Sequence, residues 1–131
     1  TILSGMSTME QVKENLRTFD SAQIGVVTPK EEALFKKVRD AYLKRIKTSC
    51  TGCNYCQPCP QNVAIPTIFR GYDNAAMLDK KPEFFTRYES LIKDGKDAAQ
   101  CVECSQCEDA CPQHLPIMRY LQEIKAEFES R

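Results

Sequence analysis

The sequence predicts an all-α fold, and three observations carry that prediction. Helix-start signals recur along the chain. Apolar residues follow those signals at helical spacing. The period-two alternation of a half-buried strand is missing outside residues 1–3.

The elements follow in order. Residues 1–3 are apolar and read as the end of a strand, and Ser4-Gly5 turns the chain. The segment STME at 7–10 has the form of a capping box, with Ser7 as N-cap and Glu10 as its reciprocal partner. Met9, Val12, Leu16 and Phe19 then make one helical stripe. TPKE at 28–31 is a second start signal: Thr28 caps, Pro29 suits the first turn and Glu31 completes the box. Leu34, Phe35, Val38, Ala41, Tyr42 and Ile46 place a helix over about 29–47. Pro66 opens a third helix to about 78, weakened by Gly71. Pro82 opens a fourth, with Phe84, Phe85, Tyr88, Leu91 and Ile92 on one side and Gly95 as its stop. Asp97 caps a short turn. Pro116 starts the last helix, with Ile117, Tyr120, Leu121, Ile124 and Phe128 as its apolar face. All these stripes are expected to be core faces.

Bulk properties exclude several functions. The chain has 131 residues, 42% hydrophobic, enough for one compact domain or a small domain with an appendage. Lys+Arg and Asp+Glu both number 18, so no basic excess points to nucleic acid or an acidic membrane. No apolar run approaches the roughly 20 residues that span a bilayer, and no segment reads as a secretion signal. The start, apolar and without Met, reads as a cut within a larger protein rather than a processed N-terminus. Eight cysteines fall short of the roughly 8–10% of a secreted disulfide scaffold. A reducing, cytoplasmic setting is expected, where clustered cysteines are metal ligands.

The cysteines fall into two runs, CTGCNYCQPCP at 50–60 and CVECSQCEDACP at 101–112. The second matches C-x2-C-x2-C-x3-C-P at every position. Three thiolates at such gaps can hold three irons of a cubic cluster, and the fourth iron takes a thiolate from the other run. One cluster is therefore expected on Cys50, Cys53, Cys56 and Cys111, and the other on Cys101, Cys104, Cys107 and Cys59. Zinc and disulfides remain alternatives; zinc sites usually use two separated pairs. Each run ends in Cys-Pro-Gln and leads into a helix, so residues from 50 to about 130 read as two copies of one unit. The helix dipole is expected to favour the Cys59 and Cys111 thiolates. The first run is one residue shorter before its last cysteine, so the reach of Cys59 is in question. Tyr55 is expected to shield sulfur from water. His114 either tunes a cluster or lies exposed. Lys44, Arg45 and Lys47 either offset cluster charge or form a solvated helix end.

These residues resemble a known family. CTGCNYCQPCPQNVAIPTIF and QCVECSQCEDACPQHLPI are similar to the C-terminal iron–sulfur extension of predicted aldo-keto reductases, and ILSGMSTMEQVKENL looks like the last strand and helix of that barrel. The resemblance implies a barrel end at 1–27 and an α-helical ferredoxin-like domain at 28–131, holding two [4Fe–4S] clusters that serve as an electron wire to a redox partner. In that family the short first run is usual. The resemblance also places Gly5, Met6, Ser7 and Thr8 at the nicotinamide-dinucleotide phosphate and Asn15 at its adenine. Gly5 stands where many members carry Lys, a departure that bears on binding of the NADP 2′-phosphate. The catalytic Asp, Tyr, Lys and His of the barrel are not in this sequence, so no carbonyl reduction is expected from it alone. The implied function is electron transfer within an oxidoreductase. The alternative is a structural or interaction domain stabilised by metal centres.

Overall fold

A computed structural model describes residues 4–131; the strand expected at 1–3 lies outside the described residues. Among the described residues the structure is helical with no strand. It divides into two compact units, one up to Lys37 and one from Val38 to Arg131.

In the first unit, α1 (Met9–Asp20) starts one residue later than the STME reading implies. Thr8, not Ser7, is the N-cap. Its hydroxyl accepts the Gln11 N–H at 3.3 Å, and Gln11 Oε1 accepts the Thr8 N–H at 3.2 Å. Two capping boxes overlap here, and Thr8 takes the role because its backbone is extended. Glu10 lies instead in the first turn, where the helix dipole favours it.

The helix α2 (Pro29–Arg45) begins as expected, with Thr28 N and Oγ1 both donating to Glu31 Oε2 at 2.7 Å. It ends two residues before 47 because the next amides are used elsewhere. Lys47 N and Thr48 N both donate to Asp73 Oδ1 at 2.8 Å. Neither α1 nor α2 buries a residue. Leu16, Phe19, Leu34, Phe35, Val38 and Tyr42 are all exposed, which corrects the expectation of core faces there. Periodicity identifies an apolar face but not what covers it.

The core belongs to the second unit. It is built by α3 (Ile65–Leu78), α4 (Lys81–Lys93) and α6 (Ile117–Glu129). Ile65, Ile68, Phe69, Phe85, Leu121 and Ile124 are among its buried side chains. Phe69 meets Tyr120 edge-on at 5.8 Å, and Tyr88 packs on Phe128 at 5.2 Å. At the far end, Lys81 Nζ donates to Glu127 Oε1 at 2.6 Å, and the Tyr72 hydroxyl donates to Glu127 Oε2. That carboxylate ties all three helices together. Lys81, Tyr72 and the nearby charge of Lys47 lower the Glu127 pKa against the opposing effect of burial. No helix among the described residues is long and apolar enough to cross a membrane.

Gly71 is not a weak point of α3. A Cβ there would come within 3.0 Å of the Phe84 ring, so its absence lets α4 pack close. Gly71→Ala gains about 1 kcal/mol of helix propensity, but overpacking costs about 1–3 kcal/mol. The expected result is a net loss of stability, read as a lower denaturation midpoint at unchanged m-value.

Candidate metal centre

The two cysteine runs place left-handed residues at matching positions. In the first, Gly52 and Asn54 have φ of +70° and +66°; in the second, Glu103 and Ser105 have +57° and +66°. These left-handed residues flank Cys53 and Cys104, the one exposed cysteine in each run. Alternation of this kind turns amide groups into a concavity that receives negative charge. The Gly52 N–H accordingly donates to Cys50 Sγ at 3.4 Å. The correspondence continues beyond each Cys-Pro. Asn62 N donates to Cys59 O at 2.9 Å, and His114 N donates to Cys111 O at 3.0 Å. Asn62 and His114 are again left-handed, with φ of +60° and +49°.

The runs differ where the lengths differ. The second inserts a single helical turn, α5 (Gln106–Asp109). The first bridges the same interval through Gln57. Its Nε2 donates to Val63 O at 2.9 Å, and its Oε1 accepts the Cys59 N–H at 3.2 Å. This side chain braces the short arm and aims Cys59.

Two cavities lie beside the runs, and the sulfurs are shared crosswise. One is lined by Cys50, Cys53, Cys56 and Cys111, with Ile65, Phe69, Leu115 and Ile117 as apolar walls. The other, about 200 Å³, is lined by Cys56, Cys59, Cys101, Cys104 and Cys107. Each cavity thus joins three cysteines of one run to the last cysteine of the other, and Cys56 touches both. Cys111 is buried and seven cysteines are partly or fully exposed.

The electrostatics follow this arrangement. Burial pushes the Cys50, Cys56 and Cys107 thiols up, Cys107 to about 11. Repulsion between neighbouring sulfurs adds to it: Cys53 and Cys111 act on Cys50, Cys111 also acts on Cys56, and Cys101 acts on Cys107. Crowded thiols of this kind give up their protons together only to a cationic centre that carries their charge.

A cubic cluster spreads its outer ligands, because iron and sulfide fill the space between them. Four thiols around an apolar-walled cavity are the kind of donor set such a cluster takes, and the residues present fit it.

Several supporting residues were not evident from the sequence. Asp73 is buried and accepts Lys47 N, Thr48 N and the Thr48 hydroxyl, the last at 2.7 Å. Thr48, itself buried, accepts the Cys50 N–H at 3.3 Å. A carboxylate thus anchors the entry to the first run. Asp97 does the corresponding work before Cys101, as expected. It caps the 3-10 turn Ala98–Gln100 by accepting Ala99 N at 3.0 Å. The Tyr88 hydroxyl accepts Ala98 N at 2.8 Å and fixes that turn to α4. Glu108 accepts Met118 N at 2.9 Å and so ties α5 to the start of α6.

The expected helix-dipole effect is corrected. Cys59 and Cys111 stand outside the first turns of α3 and α6, because the Asn62 and His114 turns intervene; the helix dipole does not act on them directly. Tyr55 is 68% exposed and lines the cavity of Cys59, Cys101, Cys104 and Cys107. His114 is exposed. Arg45 is engaged with Met77 O at 2.6 Å and Asp79 at 3.1 Å. Ser7 and Thr8 donate to Gln11, and Asn15 Nδ2 donates to Ser4 Oγ at 3.0 Å, while Gly5 and Met6 are exposed.

No curated protein and no solved structure matches the chain. Residues 49–115, just over half of the sequence, match the family 4Fe-4S dicluster domain. The match spans both cysteine runs, the α3 and α4 helices between them and the turn at His114. The chain belongs to the 4Fe-4S dicluster domain family, and its cysteine region is an iron–sulfur region suited to electron transfer.

Proposed function

We propose that this protein transfers electrons through two [4Fe–4S] clusters. One is held by Cys50, Cys53, Cys56 and Cys111, the other by Cys59, Cys101, Cys104 and Cys107. The crosswise sharing of sulfurs between the two cavities is the observation that carries this reading. Each cluster, when bound, supplies one-electron redox chemistry. The chain's part is to hold, shield and space the clusters. Cys111 and the apolar walls of Ile65, Phe69 and Ile117 keep water from the first site. Gln57 and Asp73 hold the arms that aim the thiolates. Crossing also ties the two runs together, so cluster loading contributes to folding.

The wider reading is that residues 28–131 form an α-helical ferredoxin-like domain with two related cluster-binding units, at the C-terminal end of an aldo-keto reductase-like oxidoreductase in the cytoplasm. Residues 1–27 would then be the end of its barrel. NADP would bind only in the whole protein, with Gly5, Met6, Ser7, Thr8 and Asn15 contributing. The uncovered apolar faces of α1 and α2 support this, since such faces require a partner surface. The redox partner is the protein's own barrel or another oxidoreductase, with neither nucleic acid nor membrane as partner.

Electron transfer and a purely structural role separate under reduction. The anaerobically prepared protein is expected to take up electrons reversibly, giving paramagnetic signals that disappear on reoxidation. Clusters inert to strong reductants would support the structural role instead.

A further inference from the structure

We propose that the groove between α3 and α4 is the docking site for an acidic redox partner. This rests on the electron-transfer reading above and names the partner's chemistry. The groove has a volume of about 330 Å³ and a floor of Phe84, Tyr88 and Leu91. Its rim carries Arg70 and Arg87, both exposed, and neither has a carboxylate partner among the described residues. Glu83 beside them is engaged with Lys80 at 3.5 Å. Two unpaired guanidiniums on one rim form a fork-shaped receptor for carboxylates.

The groove also leads to the metal centre. Asn54 lines both the groove and the first cysteine cavity. Arg70 lies over the Cys50–Cys53 loop, where a Cβ added to Gly52 would meet its Nη2 at 3.2 Å. Cys53, one residue from Asn54, is the exposed cysteine of that cavity. A partner held by Arg70 and Arg87 therefore sits at the edge where this site reaches the surface.

Charge distinguishes this edge from the other. The run at 50–60 contains no acidic residue, whereas the run at 101–112 contains Glu103, Glu108 and Asp109. An acidic surface is attracted to the Cys53 edge and repelled from the Cys104 edge. A protein surface suits the groove better than a small metabolite. Its cations are exposed on the rim, and the Tyr88 hydroxyl below is already committed to Ala98 N. Nothing buried remains to orient a small ligand.

The test uses paired metal complexes of opposite charge on the iron-loaded protein. The cobalt(III)–EDTA anion presents carboxylates and stands in for the acidic partner, and hexaamminecobalt(III) is its cationic counterpart. Dithionite first reduces the protein. The protein then passes one electron to cobalt(III), which becomes cobalt(II), and no proton moves. Arg70→Gln and Arg87→Gln are each expected to slow oxidation by the anion roughly threefold or more at low ionic strength. The difference should vanish above about 0.1 M salt, where the Debye length is about 10 Å. Oxidation by the cation should not slow. A second readout needs no electron transfer. The inert chromium(III)–EDTA anion should broaden the nuclear magnetic resonance signals of Asn74 and Leu91 in the wild type and spare them in the double variant.

Wild-type rates with the anion that both variants retain, or that fall equally with both oxidants, would overturn the docking site alone. Saturable binding of inorganic pyrophosphate, unaffected by the chelate, would reassign the groove to a phosphate ligand and overturn the acidic partner. A wild-type protein without reducible clusters would overturn the reading beneath the proposal and the proposal with it.

Discussion

Cys111→Ala is expected to remove the cluster of the first run while leaving that of the second. Iron and sulfide should each fall by about half, and the surviving paramagnetic signal should be one of the two seen in the wild type. The reason is geometric. Cys111 belongs to the second run in sequence but lines the cavity of Cys50, Cys53 and Cys56, and its charge acts on both Cys50 and Cys56. Because Cys111 is buried, the variant also opens a small defect in the core. Cys53→Ala is the control: it removes an exposed ligand of the same cluster without touching the core, and the same signal should disappear. Loss of the other signal in Cys111→Ala would show that the sulfurs are not exchanged between the runs.

Asp73→Ala is expected to cost about 3 kcal/mol or more of stability and to disorder the entry to the first run. The carboxylate accepts two amide N–H groups and one hydroxyl. Its removal leaves Thr48, which is 1% exposed, with unmatched donors at about 1–3 kcal/mol each. Thr48 would then lose the position from which it accepts Cys50 N–H. Asp73→Asn retains one acceptor oxygen and should cost distinctly less. Denaturant titration of both variants checks the order. Equal stability of Asp73→Ala and wild type would show that the anchor is dispensable.

Much of this arrangement is legible in the residues. The Thr28 box, Pro66, Pro82 and Pro116 each announce a helix because local chemistry decides a helix start. The cysteine spacing points to its metal for the same reason: thiolates two residues apart can meet one cluster wherever the chain leads afterwards. What escapes is what depends on distant partners. Asp73 follows Tyr72 among the apolar residues of α3, and only the folded chain brings it to Thr48. A carboxylate on an apolar face was the available signal. Gly71 reads as a weak helix residue until Phe84 is seen against it. The stripes of α1 and α2 read as core because a face carries no record of what covers it. The shortened arm before Cys59 reads as a defect until Gln57 is seen to brace it.

Iron, acid-labile sulfide and zinc, counted on the anaerobically purified protein, test the central claim most directly. Two cubic clusters on eight cysteines predict about eight irons and eight sulfides per chain and no zinc. Zinc without sulfide would contradict it.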